Sequence, residues 1–263
     1  MGPVSIDGRR RPPLREGAFG FSGCELYAQP IVSTSFDSKV NWVEILIRRK
    51  GARRESDSGL SCLRLARQAG LSGSIDQFVV TSVFDHLEDL DSSTPKVAYG
   101  INLMGSSLCD PKFKRFLFAQ LGRLKRPEQI CFEITETEVI ENLHDAAEFM
   151  SEVKKFGCSF ALDDFGSGFC SFTYIKNLPI DIIKIDGQFV RECRKGGVDY
   201  ELVSSIHTLC LKLGLSTVAE CIESAKIYET MRDIGVDFGQ GNFLGYPRPL
   251  VSLNKSLPWD LTC

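Results

Sequence analysis

Two adjacent aspartates close an apolar run in "FALDDFGSG", residues 160–168, and a glycine-rich turn follows. Neighbouring carboxylates repel, and the end of a buried run is a costly place for unpaired charge. Asp163 and Asp164 have company. Glu44, Asn102, Glu133, Lys184, Glu220 and Gln240 each stand near the C-terminal end of another apolar run. Singly, each has an ordinary explanation. Glu44 can pair with Arg48 or Arg49, and Asn102 can cap a turn. The aspartates can bond the backbone of their own loop, and Lys184 can neutralise an acid. Five carboxylates gathered around one lysine would still be costly without cations. Oxygen donors without histidine or cysteine select hard divalent ions, Mg²⁺ or Mn²⁺. A set with one acid able to bridge suits two ions about 3.5–4 Å apart, an arrangement that activates water against a phosphorus centre.

The elements carrying these residues follow a rhythm. Eight apolar runs read as strands: "CELYAQPIV", "VNWVEILI", "VAYGINL", "ICFEIT", "CSFALDD", "IDIIKID", "LSTVAECI" and "VDFGQGNFL". Stretches with helical periodicity separate most of them. Three of these end in "KKFG", "LKLG" and "RDIG", each with a cation in the last turn and a glycine after it. That suits the C-terminal dipole and a left-handed cap. Alternating strands and helices give a parallel sheet. Eight such strands in this length predict an α/β chain folded as a (β/α)₈ barrel. No G-x-G-x-x-G opens a helix, which disfavours a doubly wound dinucleotide-binding fold. The link "STSFDSK" is short and lacks a helical period, so the first two strands are expected to pair as an antiparallel hairpin. In a barrel the strand ends converge on one face, which brings distant acids together.

The totals exclude other classes. The chain has 263 residues and a formal net charge of −3, which makes no global case for a nucleic-acid polymer as partner. Its arginine-rich stretches, "GRRRPPLR" and "IRRKGARR", read as a basic tail and a solvated loop. Ten cysteines form no C-x-x-C pair and lie mostly in apolar runs, a pattern of reduced thiols that points to the cytoplasm. The three histidines fall away from the acidic run ends, leaving zinc and Ser-His-Asp chemistry little support. No apolar stretch approaches a membrane span, and no signal-peptide core is present, so no membrane insertion is expected. Residues 1–20 are expected to be a flexible tail, 21–255 the barrel and 256–263 a C-terminal tail.

The quoted pieces also carry a family resemblance. "YAQPIV", "VEILIR" in place of an E-A-L-L-R signature, "INL", "FEITET", "ALDDFGSGF", "IKIDGQFV", "VAECIE" and "QGNFLGYPRPL" together resemble the EAL-domain cyclic di-GMP phosphodiesterases of bacteria, over roughly residues 23–250. The resemblance implies a modified (β/α)₈ TIM-type barrel. It also implies hydrolysis of cyclic di-GMP to linear pGpG by two-metal activation of water, with Mg²⁺ or Mn²⁺ as cofactor and Ca²⁺ inhibitory. On this likeness Glu44, Asn102, Glu133 and Asp163 are ligands of the first metal. Asp163 is shared with the second, and Asp164 and Glu220 lie beside it. Glu220 is either a ligand of that metal or the base towards the attacking water. Lys184 orients the water and stabilises charge on the phosphate. Gln240 hydrogen-bonds within the site, and Gln29, Leu46 and Arg48 contact substrate. Glu136 steadies the loop after Asp164, and Glu223 supports the ligands from behind. Homodimers through the helix after the D-D-F-G loop are implied too, with Phe169, Phe172 and Tyr174 as the surface.

Three positions depart from the family pattern. Ile45 replaces alanine, but alternation on a strand turns it away from Glu44, Leu46 and Arg48 and toward the helices. Met104 replaces a serine, and Cys221 replaces a glycine beside Glu220, which would place a thiol near the metals. The stretch from Arg48 to Ala66 matches poorly. No metal ligand is lost, which favours an active hydrolase. The alternatives are a degenerate receptor that binds cyclic di-GMP without turnover, a protein-interaction module, or another metal-dependent barrel acting on a carboxylate substrate. The chain reads as a stand-alone enzyme or as a fragment of a larger signalling protein.

Overall fold

The computed structural model describes residues 21, 23–35, 40–50, 55–90, 97–141, 143–167, 175–254 and 259. Eight strands close into a barrel: β1 (Cys24–Ser33), β2 (Val40–Arg49), β3 (Ala98–Asn102), β4 (Ile130–Thr135), β5 (Ser159–Phe165), β6 (Ile182–Ile185), β7 (Ser216–Ala219) and β8 (Phe238–Gln240). From β2 to β8 every neighbouring pair is parallel. β1 runs antiparallel to both β2 and β8 and closes the ring. The barrel and its first hairpin are therefore as the sequence predicts. A two-residue strand, β9 (Arg248–Pro249), adds to the outer part of β1.

Helices cover the barrel: α1 (Glu55–Gln68), α2 (Ser72–Asp89), α3 (Gly105–Leu108), α4 (Pro111–Leu121), α5 (Glu136–Glu141), α6 (Leu143–Lys154), α7 (Gly187–Val190), α8 (Val198–Leu213) and α9 (Ala225–Ile234). The expected stops are present at α8 and α9. Gly214 and Gly235 adopt φ of 73° and 95°, and their amides bond carbonyls of the last turn. Only glycine enters that region without a Cβ penalty. Among the described residues no helix is long and apolar enough to cross a membrane.

Period-two alternation sorts each strand into two faces. Val43, Ile45, Ile47, Ile101, Phe132, Phe160 and Ile183 point outward and are buried in the main core beneath the helices. Ile45 thus packs where alternation predicts. The inward face forms two storeys. Ile31, Trp42, Cys131, Ala161 and Val218, with Ala98, Ile182 and Phe238, make an apolar floor. Glu44, Glu133, Asp163, Lys184, Glu220 and Gln240, each two residues beyond a floor residue, make the storey above, joined by Gln29 from the reversed β1 and by Asn102 beyond Gly100 on β3.

Trp259 lies beyond the boundary expected at residue 255. It is buried, and its indole N–H donates to the Tyr246 carbonyl at 3.0 Å. A Cβ on Gly245 would come within 2.7 Å of its ring, so this tryptophan belongs to the packed body rather than to a tail. Residues 1–20, the expected dimer surface of Phe169, Phe172 and Tyr174, and part of the arginine-rich stretch after β2 lie outside the described residues.

Candidate metal centre at the barrel mouth

Each strand delivers its polar residue to the same end by register. Gln29 stands opposite Glu44, Ile31 opposite Gln240, Asn102 opposite Glu133 and Thr135 opposite Asp163. Sequence separations approaching 200 residues collapse to hydrogen-bond distance: Gln240 Nε2 donates to Glu44 Oε2 at 2.6 Å. Asn102 Nδ2 donates to the other Glu44 oxygen at 2.7 Å. Gln240 also donates to Gln29 Oε1 at 3.3 Å, and Gln29 donates to the Gly245 carbonyl at 3.2 Å.

Lys184 occupies the centre and is fully buried. Its Nζ lies 2.7 Å from Glu133 Oε2, 2.9 Å from Glu220 Oε1, 3.0 Å from Asp163 Oδ1 and 3.4 Å from Glu44 Oε2. Burial pulls the ammonium pKa down, but the four acids, Asp163 foremost, hold it well above the lysine range. One cation cannot balance four anions. Burial pushes Glu133 up to about 8 against the pull of Lys184, with Glu44 and Asp163 adding to the rise. Glu220 is driven well above the carboxylate range, by burial first and then by Asp163 and Glu44, with Lys184 opposing. Asp164 rises to about 6 through burial, Asp163 and Asp186.

The missing charge has a natural form. Glu44, Glu133 and Asp163 each offer an oxygen within 4.8 Å of the others, and so do Asp163, Asp164 and Glu220. Neither Glu133 oxygen makes an aligned hydrogen bond, despite the close approach of Lys184, although the side chain is fully buried. Orphaned carboxylate oxygens in an all-oxygen donor set fit hard divalent cations. Gly100 makes the room, because a Cβ there would stand 1.9 Å from Glu133 Oε1.

The remaining expected residues divide. Glu136 is fully buried, and its Oε2 accepts the Gly166 amide at 3.0 Å, tying the loop after β5. Asp164 takes φ of 54° while its amide donates to Asp163 Oδ1 at 3.0 Å. Leu46 and Arg48 follow Glu44 at alternate positions towards the rim, where the Arg48 guanidinium donates to the Ile47 carbonyl at 3.1 Å. Glu223 is not brought to the cluster. Its exposed carboxylate faces Arg191 on the helical side at 3.7 Å. The Cys221 thiol also turns that way, accepting from Arg191 Nη2 at 3.1 Å, and its backbone has φ of 56°.

Asp76 escapes sequence reasoning. It lies on the buried stripe of α2 between Ile75 and Val79, and its Oδ2 accepts from Met104 N at 3.0 Å and Ser107 Oγ at 2.6 Å. A carboxylate inside an apolar helical stripe is the signal that marks it. It secures the turn that follows Asn102.

Comparison with known proteins agrees with the geometry. The model of the "EAL domain" family matches residues 18–247. Cyclic di-GMP phosphodiesterase PdeB of Shewanella oneidensis is 36% identical over 228 residues, which cover 86% of this chain and 27% of that protein. The chain spans about three tenths of the length of the curated relatives it matches. The structure "PaMucR Phosphodiesterase, c-di-GMP complex" aligns with a TM-score of 0.78 at 26% identity, covering 88% of this chain and 99% of that one. Klebsiella pneumoniae BlrP1, solved as a calcium/cy-diGMP complex, aligns with a TM-score of 0.76 at 26% identity, covering 92% and 59%. With its matched sequence, its barrel and its ring of acids, the chain belongs to the EAL domain family.

Proposed function

We propose that the barrel mouth binds cyclic di-GMP and hydrolyses one phosphodiester bond to give linear pGpG, using two Mg²⁺ or Mn²⁺ ions held by the acidic ring. The observation that carries this reading is Asp163, whose carboxylate belongs to both groups of converging acids. The name of PdeB and the nucleotide in the PaMucR and BlrP1 structures support the substrate class.

Glu44, Asn102, Glu133 and Asp163 would hold one ion, and Asp163, Asp164 and Glu220 the other. When bound, such ions supply Lewis-acid stabilisation of phosphoryl charge and acidify water. The protein supplies the rest. Lys184 spans Asp163 and Glu220 from below and keeps the two carboxylates from springing apart. The Glu220 carboxylate, whose Oε1 is held by Lys184, would take the proton from the attacking water. Gln240 and Asn102 fix both oxygens of Glu44. At the rim the Arg48 guanidinium meets a phosphate oxygen, and Gln29 and Leu46 contact the nucleotide. Attack in line at phosphorus expels the ribose oxygen. Ca²⁺ takes similar oxygen donors with longer bonds and looser geometry, so it is expected to hold substrate without efficient turnover. The cysteines among the described residues are free thiols, which fits a cytoplasmic protein, and the proposed assembly is a homodimer.

The decisive test is pGpG release by the purified chain with Mg²⁺ or Mn²⁺. Asp163→Asn should lower turnover by more than about 100-fold, since even changes behind a metal ligand cost 10–100-fold. Equal activity of the two proteins, or none from either, overturns the proposal. Calorimetric binding without product would identify a receptor instead.

A further inference from the structure

The floor of the barrel interior is apolar, and apart from the weak Cys131 thiol it carries one polar side-chain group, the indole N–H of Trp42. The ring is buried and packs 6.1 Å from Phe238, which fixes its plane. The N–H has no hydrogen-bond partner. Directly above the floor, Glu133 Oε1 has no partner, while Oε2 lies 2.7 Å from the Lys184 ammonium. Both groups face the same small space, the one where Gly100 lacks a side chain. An ideal Cβ at Gly100 would lie 1.9 Å from Glu133 Oε1 and 3.0 Å from Trp42 Nε1. A buried donor and a buried acceptor left unpaired beside each other are both costly, and a carboxylate gains most from a donor already held in place.

We propose that Trp42 is a positioning residue for Glu133: its indole N–H, directly or through one water in the Gly100 gap, donates to Glu133 Oε1 and turns Oε2 toward Lys184 and the cation-binding group. The inference rests on the reading of the acidic ring as a divalent-cation site. β2 then contributes twice. Glu44 is a ligand, and Trp42, two residues earlier on the same inward face, orients the ligand on β4. A donor behind a metal ligand typically changes metal affinity by 10–100-fold. The same geometry gives Gly100 its purpose, since any side chain there would fill the meeting place of the two groups.

Trp42→Phe keeps an aromatic ring on the floor and removes the donor, together with the five-membered part of the indole. Mn²⁺ titrated calorimetrically into the full chain should bind the variant about tenfold more weakly than the parent, under conditions where a denaturant melt shows the variant folded. Equal affinities overturn the positioning role while leaving the cation site intact. No Mn²⁺ binding by the parent overturns both. Because the chain has two tryptophans, a Trp259→Phe chain labelled with ¹⁵N-tryptophan isolates the Trp42 indole signal. That resonance should show a bonded, slowly exchanging N–H that shifts on saturation with Mg²⁺. A free-indole position unmoved by Mg²⁺ overturns the proposal, and this readout decides the matter even if Trp42→Phe fails to fold.

Discussion

Lys184 is the residue on which the charge balance turns, since among the described residues it is the one ammonium set between four acids at the barrel mouth. Lys184→Met should destabilise the cation-free protein by about 3–5 kcal/mol, the usual cost of orphaning buried charge. Saturating Mn²⁺ should recover much of the loss, and denaturant melts in chelator and in Mn²⁺ would show both effects. The acids make a second prediction. Glu133 near 8 and Asp164 near 6 hold protons that a cation must displace. Cation affinity should therefore fall as pH drops from about 8 to about 6, with proton release visible as buffer-dependent heat. In chelator the sign for stability is opposite. The folded state keeps the Glu133 proton above its ordinary 4.5, so stability declines as pH rises from there towards 8. At this scale the mouth was legible because acids and amides at the ends of apolar runs are conspicuous. Trp42 was not, because a tryptophan in a strand looks like core until its N–H is seen to face a carboxylate. Glu223 was named by the resemblance alone, with no pattern in the sequence to say where it points, and its carboxylate faces Arg191.

Among the elements, the loop after β5 and the turn after β3 are each held by one buried acid. Glu136→Ala would strand the Gly166 amide at a local cost of about 1–3 kcal/mol. Hydrogen exchange at Gly166 should accelerate, and turnover should fall with it. Asp76 plays the matching part for α3. Asp76→Ala should cost about 1–3 kcal/mol by leaving Met104 N and Ser107 Oγ unpaired. Burial raises its carboxyl to about 7, so the folded state binds an extra proton between about 4 and 7, and stability falls as pH rises through that window. Asp76→Asn keeps an acceptor and should flatten the dependence, which chemical melts at pH 5 and 8 would reveal. Strands and long helices were legible from period alone. α3, α5 and β9 were not, since four, six and two residues are too few for a period to register. Those short pieces flank the mouth, where local rules yield to contacts made across the barrel.

For the molecule as a whole, cations held by the acidic ring as proposed would couple binding to folding. At a concentration one hundred times the dissociation constant, Mn²⁺ should add about 2.7 kcal/mol to stability and raise the melting temperature by several degrees, reversibly with chelator. Barrel closure was readable because eight runs alternate with helical stretches, and the odd pairing of β1 because its link to β2 is too short for a crossover. That odd pairing has a geometric consequence. Parallel strands begin at the floor, but β1 begins at the mouth, with Cys24 beside Arg49 and the Gly23 carbonyl accepting the Lys50 amide at 2.8 Å. The chain thus enters β1 at the open face rather than beneath the barrel. A pull at the start of β1 would load the strand that carries Gln29, one hydrogen bond from Gln240 and two from Glu44.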